Sequence, residues 1–189
     1  MPPPVVLLDA CTLYPATLRD VWMRLAVHGL IEARWTDSIH DEWIEAVLRD
    51  RPDLTRERLQ RTRELMNLHA EDSLVIGHER HLEALRLPDP NDRHVLAAAI
   101  EAGADTLLTW NLKDFPAEEL ARHGVAAESP DTFLARLLAD HPEDFVSVLR
   151  EARTSLKNPP LTAGDYLEKL HDQGLVRTCT LLMDRFKDV

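Results

Sequence analysis

The stretch VVLLDACTLYP, Val5–Pro15, decides the fold. Four consecutive apolar residues closing on an acid read as a strand buried on both faces, which is how a parallel sheet is written in sequence. A parallel strand needs a crossover before its neighbour, and one follows at once. In TLYPATLRDVWMRLAVHG (12–29), Leu18, Val21, Trp22 and Leu25 recur at helical spacing and Gly29 supplies a stop. The alternation then continues. ARWTDS (33–38) is strand-like, SIHDEWIEAVLRD (38–50) and TRERLQRTRELMNLHA (55–70) are helical, LVIG (74–77) is a candidate strand and ERHLEAL (79–85) a short helix. PNDRHVLAAAIEAGA (90–104) is helical, DTLLTW (105–110) a strand, AEELARHG (117–124) a helix and VAAES (125–129) a last strand. Strands alternating with helices imply an α/β/α sandwich around a mainly parallel sheet.

From about Pro130 the pattern changes. PDTFLARLLADH, PEDFVSVLREARTSLKN, TAGDYLEKLHDQG and VRTCTLLMDRFKD are all helical, divided by Pro142, Pro159, Pro160 and Gly174. The expected organisation is an α/β domain over residues 1–130 and an all-helical extension over 131–189. Leu134, Leu137, Leu138, Phe145, Val148 and Leu149 are apolar positions of that extension. They are free to pack on the first domain, on a partner or on a second copy, so a homodimer is one expectation.

Composition narrows the function. With 22 Lys and Arg against 33 Asp and Glu, the 189-residue chain carries a formal charge of −11. That argues against a binder relying on a basic surface. It leaves room for a phosphodiester substrate if clustered carboxylates recruit divalent cations, and it suits a basic protein partner. No apolar run approaches the roughly 20 residues of a membrane span. The N-terminus has no basic segment ahead of its apolar run, and the two cysteines, Cys11 and Cys179, lack metal-ligand spacing. Reduced thiols and a cytoplasmic location are therefore expected. HERH (78–81) is one residue short of a zinc-protease spacing, and no glycine-rich nucleotide loop occurs.

The acids carry the chemistry. Asp9 closes the first strand, where ligands bind in open α/β sheets, although a helix N-cap would explain it equally well. Glu42 lies just inside a helix, beside the apolar stripe of Ile39, Trp43 and Ala46; Ser38 and Asp41 have the spacing of a capping box. In LPDPNDRHVLAAA (87–99), Pro90 suits a first helical position, which makes Asp89 the cap and Asp92 the third helical residue. There the helix dipole is expected to hold Asp92 ionised. His94 falls near Asp92, with the site and the solvent both open to it, and solvent is the expectation. Thr109, Asn111 and Asp114 follow the strand in TLLTWNLKDFP (106–116), as loop chemistry or as site residues.

In that order, VVLLDACTLYP, WTDSIHDEW, LPDPNDRHVLAAAIEAGAD and LLTWNLKDFP resemble the PIN-domain nucleases, and especially the toxins of VapC-type toxin–antitoxin pairs. The resemblance spans roughly residues 5–130, and the helical tail resembles an extension carried by one subgroup. It implies a PIN-like fold with three or four acids holding Mg²⁺ or Mn²⁺: Asp9, Glu42 and Asp92, with Asn111 or Asp114 as the fourth. Ser38 and Thr109 would support them and Asp89 would lie nearby. It implies metal-dependent hydrolysis of RNA phosphodiesters and a DNA-binding antitoxin as partner. A DNA or structure-specific nuclease, or a mainly non-catalytic interaction module in a repressor complex, are the alternative readings.

Overall fold

The computed structural model describes residues 2–183, 185 and 189. Four parallel strands form one sheet in the order β2-β1-β3-β4: β1 is Val5–Leu8, β2 Glu32–Arg34, β3 Thr106–Leu108 and β4 Ala126–Glu128. Leu7 pairs in register with Arg34 on one side and Leu107 on the other. Val6, Leu7 and Leu8 are wholly buried, as a run covered on both faces must be.

The strand order fixes where a ligand can bind. From β1 the chain crosses to β2, and from β3 it crosses the opposite way to β4. The connections therefore part between β1 and β3, opening a crevice at the carboxyl ends of those two strands. Helix α1 (Ala10–Leu13) leaves β1, and α2 (Ala16–Val27) then packs against β2. Helix α3 (Asp37–Asp50) follows β2, and α4 (Arg56–His69) lies against α3. Helix α5 (Arg93–Glu101) buries Val95–Ala99 against β1 and β3, and α6 (Ala117–Ala121) links β3 to β4.

Two local expectations are corrected. LVIG is not a strand: it makes a single bridge, Trp35 to Leu74, because the chain turns away into a 3₁₀ helix at His78–Ala84. Ser38 and Asp41 do not form a capping box. The cap of α3 is Thr36, whose hydroxyl accepts from the Ile39 N–H at 3.1 Å, which moves the helix start two residues earlier.

Beyond β4 the described chain is helical: α7 (Pro130–Asp140), α8 (Pro142–Ser155), α9 (Ala163–Asp172) and α10 (Val176–Leu182). The expected last helix ran to residue 188; positions 184 and 186–188 lie outside the described residues. Leu134, Leu137, Leu138, Phe145, Val148 and Leu149 are all buried within this chain, in a core continuous with that of the sheet. At the seam, Phe133 of α7 and Trp22 of α2 pack with ring centroids 6.2 Å apart, while α8 lies along α2.

Candidate active site

Asp9 sits at the N-cap position of α1, yet its side chain makes no capping bond. The carboxylate is instead turned across the crevice to the neighbouring strand end. Thr109, fully buried just after β3, donates its hydroxyl to Asp9 Oδ2 at 2.7 Å. The Cys11 thiol donates to the same oxygen at 3.1 Å. Burial, and then the charge of Asp9, push that thiol up to about 12, so it stays protonated and serves as a donor. Thr109 is held in turn: its N–H donates to Glu128 O at 3.1 Å, and its hydroxyl oxygen accepts from the Asn111 N–H at 3.0 Å. These bonds clamp Asp9 to the loop that carries Asn111.

Asp9, Glu42, Asp92 and Asn111 line one cleft of about 330 Å³ together with Ala10, Cys11, Tyr14, Trp43 and Ala46. Residues far apart in the chain thus reach the carboxyl end of the sheet from β1, α3, the start of α5 and the loop after β3. Asp114, in a 3₁₀ turn at Leu112–Asp114, does not line the cleft, but its charge acts on Asp92. Asp89 is exposed and accepts from the Asn91 N–H at 2.8 Å, a cap of the turn at Pro90–Asp92. Ser38 is exposed in the first turn of α3 and does not reach the cleft.

The electrostatics correct a further expectation. The helix dipole does not hold the Asp92 carboxyl down. Partial burial, reinforced by the charges of Asp89, Asp9 and Asp114, pushes it up to about 6. Among the described residues, none of Asp9, Asp89, Asp92 and Asp114 has an ion-pair partner. Mutually repelling carboxylates around an open cleft make an all-oxygen donor set of the kind a hard divalent cation takes. No three His, Cys, Asp or Glu side chains among the described residues are drawn together tightly enough to grip an ion as they stand. An open arrangement of this kind leaves room for a divalent cation to keep some of its waters.

His94 does not face solvent. Its Nε2 lies 2.8 Å from Glu42 Oε1, with its side chain only 18% exposed. Burial alone would lower its pKa, but the Glu42 bond and the charges of Glu42, Asp9 and Asp92 prevail and raise it. The ring nitrogen Nδ1 is buried without a hydrogen-bond partner. His94 and Cys11 are thus two participants that sequence reasoning missed. The signals were present: a histidine two residues after Asp92, and a thiol two residues after Asp9.

Residues 5–113 match the PIN domain family, and residues 130–184 match a second family described as the VapC50 C-terminal domain. A curated protein of Mycobacterium tuberculosis named "Putative ribonuclease VapC50" is 37% identical over 82 residues, covering 43% of this chain. The match spans 48% of that relative's length. No solved structure matches the chain.

Proposed function

From the premise that this chain belongs to the PIN-domain family, we propose that it is a metal-dependent endoribonuclease and the toxin of a toxin–antitoxin pair. The observation that carries this reading is the meeting of Asp9, Glu42, Asp92 and Asn111 in one cleft at the sheet's carboxyl end. The name of the mycobacterial relative and the match of the tail point the same way.

Asp9, Glu42 and Asp92 would hold the ion, with Asn111 offering a neutral amide oxygen and Asp114 adding charge that Asp92 feels. When bound, Mg²⁺ or Mn²⁺ supplies the positive charge that draws an RNA phosphodiester among these acids and activates it for hydrolysis. Thr109 and Cys11 fix Asp9 by donating to its Oδ2. His94 braces Glu42, which would otherwise be a solvated glutamate on an outer helix face. Such a toxin would work in the cytoplasm, restrained by a DNA-binding antitoxin whose basic segment complements the charge of −11. No helix among the described residues is long and apolar enough to cross a membrane.

The test is a pair of isosteric substitutions. Asp9→Asn and Asp92→Asn should abolish Mg²⁺-dependent RNA cleavage and growth arrest while leaving the fold and antitoxin binding intact. Cleavage at the wild-type rate in both variants would overturn the proposal. Parallel assays on single-stranded DNA separate a ribonuclease from a nuclease of broader range.

A further inference from the structure

The helical tail reaches the loop after β3 at Gly174. Gly174 ends α9 with φ of +96°, its N–H bonded to His171 O at 2.8 Å, while Leu175 N–H returns to Leu170 O at 3.2 Å. Helix termination by itself favours glycine at such a position. A second reason lies across the turn. A Cβ built at residue 174 would stand 3.0 Å from Cη2 of Trp110 and 3.4 Å from its Cζ3. Trp110 is the residue between Thr109, which holds Asp9, and Asn111, which lines the cleft. Its N–H donates to Cys11 Sγ at 3.4 Å.

The turn is anchored from the other side as well. Just after it, the N–H groups of Arg177 and Thr178 donate to the Asp131 carboxylate at 2.9 and 2.8 Å. The Thr178 hydroxyl adds a bond of 2.8 Å to the same group. Asp131 lies in the first turn of α7, two residues before Phe133, whose ring packs on Trp22. The seat of the Trp110 ring is therefore fixed to the α/β domain by a continuous set of contacts.

We propose that Gly174 is a positioning residue of the cleft: the bare turn between α9 and α10 seats Trp110 and so sets the Thr109–Asn111 loop on Asp9. The tail is then a working part of the centre. This inference rests on the reading of the cleft as the nuclease site, and its test keeps the two apart.

Gly174→Ala adds the methyl group that meets the ring. Gly29→Ala is the control, since Gly29 also ends a helix with positive φ (+70°) but would find nothing within 4 Å. Both carry the backbone cost of a non-glycine residue at positive φ, larger at +96° than at +70°, and the double variant below, which keeps that cost at 174, isolates the ring contact. Relative to wild type, Gly174→Ala should lower kcat for Mg²⁺-dependent RNA cleavage about tenfold with KM little changed, the scale of a lost supporting contact. It should also change the rate of Cys11 alkylation, followed by peptide mapping, because the Trp110 N–H that bonds the sulfur moves with its ring. Gly29→Ala should do neither. Adding Trp110→Phe to Gly174→Ala removes the clashing atoms and should restore both readouts to the level of Trp110→Phe alone.

Equal behaviour of Gly174→Ala and Gly29→Ala, or a double variant no better than Gly174→Ala, overturns the inference. Should Gly174→Ala not fold, recovery of folding in the double variant supports the ring contact, and failure to recover overturns it. Should the wild type not cut RNA, the functional reading falls, and the Cys11 alkylation rates still decide the positioning role.

Discussion

The hydroxyl of Thr109 and the carboxylate of Asp9 meet at 2.7 Å across the one place where the connections of the sheet part. Thr109→Val keeps the shape and removes the donor, leaving Asp9 Oδ2 with only the weak thiol of Cys11. Mn²⁺ affinity, measured by calorimetry, should fall about 10–100-fold, with Thr109→Ser close to wild type. Wild-type affinity in the valine variant would show that Asp9 needs no such clamp.

Of the three acids that line the cleft, Glu42 is the exposed one, and His94 is its tether at 2.8 Å. His94→Ala should free the glutamate side chain and weaken Mn²⁺ binding by up to about tenfold. His94→Gln retains a hydrogen-bond donor and should recover part of that loss. Equal weakening in the two variants would mean that the charge of the ring, and not the bond, is what matters.

The difference between Asp9 and His94 shows what a sequence can and cannot disclose. Asp9 is legible because an apolar run ending in an acid places that acid at a sheet end whatever else the chain does. The alternation of strand and helix is legible for the same reason, since burial on two faces is written locally. The placement of His94 is not, because its partner lies on another helix, and helical phase alone does not say which face of α5 meets α3. The charge state of Asp92 escapes for a related reason: a helix dipole is local, whereas the burial that raises its pKa most is tertiary, and the charges of Asp9 and Asp114, which add to that of nearby Asp89, come from elsewhere in the chain. Ser38 has the spacing to Asp41 that fits a cap, yet the helix begins two residues earlier and Thr36 takes that task. The contact of Gly174 with Trp110 has no signal beyond a glycine at a helix end.

Beneath the cleft, His40 joins Trp43 to Asn67. Trp43 Nε1 can only donate, so His40 Nδ1 accepts at 3.0 Å and the ring is neutral, with its one N–H on Nε2 directed to Asn67 Oδ1 at 3.1 Å. Burial lowers its pKa from the ordinary 6.5 to about 4. Below pH 6.5 the unfolded chain takes a proton that the native ring refuses, so stability is full above that pH and is lost as pH falls towards 4. The loss should reach on the order of 3 kcal/mol. Urea midpoints of wild type and His40→Gln, compared from pH 7.5 to 4, should converge across that window. Parallel curves would assign the acid sensitivity to other groups.

The seam between the sheet domain and the tail can be tested at Phe133. The ring is fully buried against Trp22, and the Arg136 guanidinium lies over it at 5.1 Å. Phe133→Ala should cost about 3–5 kcal/mol, the usual range for emptying such a site. Because one apolar core runs through both parts, the cost should appear in a single unfolding transition. Far-ultraviolet circular dichroism, dominated by helices, and tryptophan emission, to which Trp22 contributes, should therefore shift together along a urea gradient. Two separated transitions, with only the helical signal moved by Phe133→Ala, would mean that the tail folds on its own. A tail that unfolded alone could not hold Gly174 against Trp110 in the same cooperative unit.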